Sequence, residues 1–153
     1  MGGNEDGIGT AVVDDFLDLL TAKDLASWSN LWAEDAVQEM PFSPQGFPRR
    51  VAGKSAILAH YGQLPSSVGR MEFFDRAART TTTGEIIAEY RGEIEILATG
   101  RLYATRYLTI LVLNAEGRIA LLREYYDPIA LTEAWGEALV SGFSLDRPLD
   151  NQS

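Results

Sequence analysis

Apolar residues near the N-terminus recur at the spacing of one helical face. Four of them follow an i, i+4, i+7, i+8 pattern: Val12, Phe16, Leu19 and Leu20. This pattern predicts an amphipathic helix over residues 10–21. Asp24 is a favourable N-cap for a second helix, because its carboxylate can accept from the free N–H groups of the first turn. The apolar residues of that second helix have i, i+3, i+7 spacing: Leu25, Trp28 and Trp32.

After the second helix, the predicted elements are short and are separated by proline and glycine residues. Residues 36–40 predict a short strand that ends at Pro41. Residues 42–50 contain two prolines and a glycine, which is typical of a loop. Residues 53–61 predict a third, short helix, and Gly62 stops it.

Beyond this point the apolar period changes to two. Four segments predict strands: Met71–Arg79, Glu85–Leu97, Leu102–Leu113 and Arg118–Asp127. Their short connections favour an antiparallel meander. Pro128 ends the last strand, and residues 129–140 predict a closing helix. The order of elements therefore predicts an α+β fold in which helices cover one face of a curved sheet.

Composition narrows the range of functions. The chain has 153 residues and a formal net charge of −9, so we expect it to bind nucleic acids and anionic membranes poorly, because both require clusters of cationic residues. With no cysteine and one histidine, thiol chemistry and a multi-histidine metal site are excluded. No apolar run is long enough to span a membrane, and no signal peptide is visible at the N-terminus. We expect a single domain in the cytoplasm.

An ordered set of strings resembles the SnoaL-like branch of the nuclear-transport-factor-2-like superfamily. The strings are Leu31-Trp32-Ala33-Glu34-Asp35-Ala36-Val37, Glu39-Met40-Pro41-Phe42, Pro48-Arg49-Arg50, Gly53-Lys54, Gly100-Arg101, Gly117-Arg118-Ile119 and Arg123-Glu124-Tyr125-Tyr126-Asp127-Pro128. The last string also resembles the phenazine-biosynthesis A/B proteins.

The resemblance implies one SnoaL-like domain over residues 1–153, with its core at about 10–140. It implies a cone-shaped α+β fold around a deep apolar pocket, and usually a homodimer without metal or cofactor. Members include ketosteroid isomerase, scytalone dehydratase, polyketide cyclases and limonene epoxide hydrolase, and many members are not catalytic. Fold resemblance alone therefore leaves the function open.

Glu124 is the first candidate for chemistry. A period of two places four residues on one strand face: Ala120, Leu122, Glu124 and Tyr126. A carboxyl among apolar neighbours should have a raised pKa and can act as a general acid or base near neutral pH. In the epoxide hydrolases and the phenazine proteins, the matching position carries an acidic pocket residue. The alternative is an exposed Glu124 in a salt bridge with Arg106 or Arg123.

Arg91 and Glu93 resemble a second element of the epoxide hydrolases, an Arg-x-Asp sequence whose arginine bridges two acids. One of those acids activates water and the other protonates the epoxide oxygen. Arg91, Glu93 and Glu124 would supply that set, with Glu in place of Asp. The match departs at residues 37–39, where the family has a water-holding Tyr-x-Asn. The alternative is a polar outer strand face at Arg91, Glu93 and Glu95, opposite the apolar residues of the same strand.

Further candidates would line the pocket. The acid–Pro element of ketosteroid isomerase corresponds to Met40-Pro41 in this chain. A shift of one residue would place Glu39 at the position of the acid. His60 is interpreted as a capped or surface histidine. The predicted substrate-binding residues are Tyr90, Tyr107, Tyr126, Trp28, Trp32, Glu39, Met40, Phe42 and Phe74. Aromatic residues at such spacing more often belong to the core than to a ligand site, although Tyr107 and Tyr126 could donate a hydrogen bond to a substrate oxygen.

Three functions remain open from the sequence. The first is a cofactor-free enzyme that uses Glu124 for isomerisation, cyclisation or dehydration of an apolar, oxygenated small metabolite. The second is epoxide hydrolysis, and the third is non-catalytic ligand binding or dimerisation. We also expect a homodimer, because Leu108, Ile110 and Val112 alternate along the longest strand and would form an exposed apolar sheet face.

Overall fold

The computed structural model describes residues 2–136. Five helices occur within this range: α1 (Gly2–Thr21), α2 (Leu25–Ser29), α3 (Lys54–Tyr61), α4 (Leu64–Ser67) and α5 (Pro128–Trp135). Six strands accompany them: β1 (Trp32–Glu39), β2 (Arg50–Ala52), β3 (Val68–Thr80), β4 (Ile86–Ile96), β5 (Arg101–Leu113) and β6 (Ile119–Tyr125). No helix in the described range is long and apolar enough to cross a membrane.

The strands form a single mixed sheet in the order β2-β1-β6-β5-β4-β3. All neighbours are antiparallel except β1 and β6, which are parallel. Strand β3 is irregular between Phe74 and Ala77, where Asp75 has a φ of +55°. A β-bulge of this kind bends its strand and increases the local twist. The sheet is therefore curved, as the sequence predicted.

The two faces of the sheet differ in burial. Along β5, inward and outward residues alternate, and the inward set is buried: Tyr103, Thr105, Tyr107, Thr109 and Leu111. Helix α1 packs against β3, α3 against β1, and α5 against β5, so the helices cover the inner face. The predicted α+β architecture with helices on one face is confirmed.

Two aspartates fix the helices that border the inner face. Asp24 caps α2 by accepting from the backbone N–H of Ser27, as predicted. Asp127 caps α5 by accepting from the N–H groups of Ile129 and Ala130. Because α5 begins directly after β6, this cap turns the chain back across the end of the sheet.

Several element boundaries differ from those predicted. Helix α1 begins at Gly2 rather than near residue 10, and the short elements β2 and α4 were not predicted. Helix α2 ends at Ser29, and Trp32 instead begins β1, because the Leu31 carbonyl accepts from Ile119 N–H and joins the chain to β6. Helix α5 ends at Trp135, and the predicted extension to residue 140 lies outside the described residues.

Candidate active site

A cavity of about 120 Å³ lies between the inner face of the sheet and the helices α3, α4 and α5. Its polar lining comes from six side chains: His60, Tyr61, Tyr103, Tyr107, Glu124 and Tyr126. The rest of its wall is apolar and includes Met40, Ile94 and Leu131. A few polar groups in a mainly apolar concave wall are typical of a small-molecule site.

A second cavity of about 130 Å³ adjoins the first beneath α1. The two cavities share six lining residues: Tyr61, Leu64, Met71, Ile94, Tyr107 and Glu124. The inner cavity adds the apolar side chains Phe16, Leu17, Leu20 and Phe73, with Tyr90 as its further polar residue. Glu124 therefore lies at the junction of a polar outer cavity and a more apolar inner one.

Gly92 on β4 makes room for this arrangement. A Cβ atom at this position would lie 2.8 Å from Cε2 of Tyr107 and 3.2 Å from Cε1 of Phe73. The missing side chain lets the Tyr107 ring pack closely against β4, where it stacks on Tyr90 with 5.1 Å between ring centroids. A glycine in a strand often marks a close approach of this kind.

The carboxyl group of Glu124 faces both cavities, and no described residue supplies it with a compensating charge. Its side chain is half-buried, because it opens onto both cavities. Within residues 2–136 it has no hydrogen bond and no ion pair. Burial alone raises the pKa of Glu124 to about 7. The predicted pocket position of Glu124 agrees with this geometry, and the alternative salt bridge with Arg123 does not form, because Arg123 pairs with Glu39 at 3.1 Å.

Tyrosine rings surround Glu124 on the inner face. Burial raises the pKa of five phenol groups, and the nearby charge of Glu124 raises each of them further: Tyr61, Tyr90, Tyr103, Tyr107 and Tyr126. These hydroxyls stay protonated at neutral pH. They can therefore donate hydrogen bonds into the cavity.

Three of these hydroxyls form a hydrogen bond with a polar side chain. Tyr90 Oη lies 2.8 Å from Thr109 Oγ1, and Tyr126 Oη lies 2.7 Å from Ser43 Oγ. Tyr61 Oη accepts a hydrogen bond from Gln38 Nε2. Because Thr109, Ser43 and Gln38 are all buried, these contacts fix the direction of each ring.

The predicted set of Arg91, Glu93 and Glu124 does not assemble. Strand β4 turns Tyr90, Ile94 and Ile96 inward, so Arg91 and Glu93 lie on the outer face of the sheet. There Arg91 Nη1 lies 3.4 Å from Glu93 Oε1, and Arg91 Nε lies 3.1 Å from Asp75 Oδ2. Neither residue lines the described cavities, so the acid–arginine–acid arrangement expected for epoxide hydrolysis is absent from them.

Other predicted lining residues divide into cavity, core and surface. Tyr90, Tyr107, Tyr126 and Met40 line the described cavities. Trp28 and Trp32 do not; they are fully buried core side chains that pack on each other and on Phe16. Three further predictions are wrong because the side chains do not line the described cavities. They make other contacts instead: Glu39 pairs with Arg123, Phe42 packs on Tyr125, and Phe74 lies under Arg91.

Sequence reasoning missed three polar lining residues. Tyr103 alternates with the predicted Tyr107 on β5, so the period of two could have identified it. Tyr61 and His60 follow one another at the end of α3, and the short helix gives little periodic signal. His60 lines the outer cavity and packs edge-on against Tyr61, which corrects its interpretation as a surface residue.

Comparison with known proteins places the chain in a family. A sequence model of the SnoaL-like domain matches residues 13–122. The uncharacterized protein YesE of Bacillus subtilis is 32% identical over 122 residues, covering 79% of this chain and 82% of YesE. The chain therefore belongs to the SnoaL-like domain family. An uncharacterized PhzA/B-like protein of Pseudomonas aeruginosa is 29% identical over 121 residues, covering 78% of this chain and 84% of its own length.

Solved structures agree with this assignment. A Bacillus subtilis protein named as a candidate isomerase has a TM-score of 0.80 and 29% identity, covering 86% of this chain and 95% of its own. A candidate polyketide cyclase from Xanthomonas campestris has a TM-score of 0.72 and 17% identity, covering 85% of this chain and 98% of its own. At 17% identity, the second similarity shows a shared fold and nothing further.

Proposed function

We propose that this protein is an isomerase or cyclase of the SnoaL type, in which Glu124 transfers a proton on an apolar, oxygenated small metabolite. One observation carries the proposal. The carboxyl group of Glu124 opens onto a tyrosine-lined cavity with no cation or hydrogen-bond partner within residues 2–136. Structural roles for buried carboxylates normally involve such a partner, so an unpaired one favours chemistry.

The electrostatics suit proton transfer in both directions. With a pKa of about 7, Glu124 is partly ionised and partly protonated near neutral pH. The ionised form can remove a proton from carbon, and the protonated form can return it at another atom. The same exchange serves isomerisation, ring closure or loss of water.

Cavity size and the named relatives indicate the scale of the substrate. An apolar protein cavity of roughly 150 Å³ holds one benzene molecule. The adjoining cavities of about 120 and 130 Å³ therefore suit a compound of about two fused rings. The names of the similar structures, a candidate isomerase and a candidate polyketide cyclase, support this class of substrate and reaction.

Exchange of the α-protons of 1-tetralone in deuterated water tests the proposal. This bicyclic ketone has an enolisable C–H next to its carbonyl group, and exchange reports proton transfer without product formation. We expect wild-type protein to accelerate exchange, and Glu124→Gln to lower that rate by roughly 10²- to 10⁴-fold, as for other general bases. Proton NMR follows the loss of the α-proton signals.

Glu93→Gln is the matched control, because it makes the same change of side chain on the outer face of the sheet. We expect it to leave exchange unchanged. Equal rates for wild-type protein and Glu124→Gln would contradict proton transfer by Glu124. Binding of 1-tetralone without any acceleration would favour the non-catalytic alternative instead.

We also propose that the outer face of β5 and β6 forms a homodimer. Leu102 and Leu108 are 57% and 38% exposed there, and Ile110 and Val112 are half-buried. Apolar sheet faces of this kind are usually covered by a partner. Sedimentation velocity should show a dimer that Leu108→Lys dissociates; a wild-type monomer at micromolar concentration would contradict the proposal.

A further inference from the structure

The hydrogen bond between Gln38 and Tyr61 has a direction that the other tyrosine contacts lack. Gln38 Nε2 donates and Tyr61 Oη accepts. An amide nitrogen cannot accept in return, so the phenol proton of Tyr61 must point elsewhere. Tyr61 lines both cavities beside Glu124, and the charge of Glu124 contributes to its raised pKa.

The burial of Gln38 supports this orientation of its amide. The side chain is fully buried, and its Oε1 has no hydrogen-bond partner within the described residues. In the present orientation one N–H group and the carbonyl oxygen of the amide lack a partner, whereas reversing the amide would leave both N–H groups without one. Because buried N–H groups are more rarely left unpaired than carbonyl oxygens, the orientation with Nε2 toward Tyr61 is favoured.

Tyr90 and Tyr126 differ from Tyr61 in this respect. Their partners, Thr109 and Ser43, carry hydroxyl groups, and either oxygen can be the donor. Those two phenol protons can therefore point away from the cavity. The proton of Tyr61 cannot be used by its partner, so it is available to a ligand.

We propose that Tyr61 donates a hydrogen bond to the carbonyl oxygen of the substrate, and that Gln38 is the positioning residue that fixes Tyr61 for this role. The substrate class is accordingly an apolar compound with an enolisable carbonyl group. This inference rests on the proposed role of Glu124.

Glu124 and Tyr61 together account for every proton and electron pair that moves in the proposed reaction. Ionised Glu124 takes a proton from the carbon next to the carbonyl group. The C–H electron pair forms a C=C bond, and the π pair of the carbonyl group moves to its oxygen. Tyr61 O–H stabilises the resulting enolate oxygen, and Glu124 returns the proton to carbon. Hydrogen-bond donors aimed at a developing oxyanion typically contribute about 10²- to 10³-fold to the rate.

The carbonyl stretching frequency of bound 1-tetralone tests the contact directly. Infrared difference spectra should show a lower frequency in wild-type protein than in Tyr61→Phe, because hydrogen bonding weakens the C=O bond. Tyr125→Phe is the matched control, since Tyr125 packs against Phe42 outside the described cavities, and it should keep the wild-type frequency.

Rates separate the two roles. We expect Tyr61→Phe to lower the exchange rate by roughly 10²-fold while KM changes little. Gln38→Met should lower the rate less in the wild-type background and have no further effect in Tyr61→Phe, because Gln38 acts through Tyr61. Tyr61→Phe alone decides the main claim if Gln38→Met fails to fold.

Three results would overturn the inference: an unchanged carbonyl frequency in Tyr61→Phe, an additive loss in the double variant, or no binding of 1-tetralone. They are distinct from failure of the proposed function. If Glu124→Gln abolishes exchange and Tyr61→Phe does not, the role of Glu124 stands and that of Tyr61 falls. If Tyr61→Phe shifts the carbonyl frequency but Glu124→Gln retains the exchange rate, the hydrogen bond from Tyr61 stands and proton transfer by Glu124 falls.

Discussion

Glu124 and Glu93 are the same residue type on strands of one sheet, yet they occupy opposite environments. Glu124 faces the cavities with no ion pair to any residue of the described range, and burial raises its pKa to about 7. Glu93 lies on the outer face, 3.4 Å from the guanidinium group of Arg91. The difference shows that a motif with the right residue types is not a site when alternate positions place them on different faces.

The two glutamates also differ in how their charges affect the stability of the fold. An exposed ion pair gains little, because water and salt screen both charges. A buried, unpaired carboxyl group costs stability whenever it ionises. Variants of neighbouring residues on opposite faces can therefore test each part of the comparison.

Truncation at adjacent positions of β5 should give the largest difference in stability. Tyr107 is buried and stacks on Tyr90, whereas Leu108 is 38% exposed on the outer face. Tyr107→Ala should destabilise the fold by roughly 3–5 kcal/mol, and Leu108→Ala by less than about 1 kcal/mol. Urea unfolding measures both values; similar losses would contradict the assignment of faces.

Glu124→Gln should change how stability depends on pH. The folded-state pKa of about 7 lies above the ordinary glutamate pKa of 4.5, so the folded protein holds the proton more tightly than the unfolded chain. Wild-type stability should therefore fall as pH rises from about 4.5 to 7, by at most roughly 3 kcal/mol. Glu124→Gln should lack this fall, and Glu93→Gln should retain it. Parallel profiles for wild type and Glu124→Gln in urea titrations would contradict the burial.

Adding one methyl group at Gly92 should displace the Tyr107 ring in the cavity wall. The new Cβ would contact Tyr107 at 2.8 Å, so the ring must shift. Gly92→Ala should cost about 1–3 kcal/mol and should also slow ketone exchange. Glu93→Ala, one residue along on the outer face, should have little effect on exchange. An unaffected rate in Gly92→Ala would show that the position of Tyr107 is unimportant.

Removing the outer cation should have the smallest effect. Arg91 pairs with Asp75 and Glu93 and lies over the Phe74 ring, and its side chain is 40% exposed. Arg91→Ala should cost less than about 1 kcal/mol and leave ketone exchange unchanged. Loss of exchange in this variant would restore the arginine-bridged arrangement that the structure does not show.

Periodicity predicted the long strands, because burial alternates along β4 and β5. Burial is less regular along β6, where the predicted face of Glu124 is the one that carries the buried Leu122 and Tyr126. Periodicity could not predict β2 or α4, which are too short for a period, or the end of α2, which the pairing of the chain with β6 decides. The same limit explains the missed Tyr61, whose proposed role depends on a hydrogen bond from Gln38, 23 residues earlier in the sequence. Phe42, by contrast, follows a strand and has no alternation to reveal its face.

The titration of the Glu124 carboxyl group tests the central claim most directly. Carboxyl ¹³C NMR of glutamate-labelled protein, with the signal assigned by its absence in Glu124→Gln, gives the pKa without any ligand. The structure predicts a midpoint near 7, well above the ordinary glutamate pKa of 4.5. A midpoint at or below 4.5 would mean that Glu124 is solvated or paired, and it would contradict its role as the proton-transfer group.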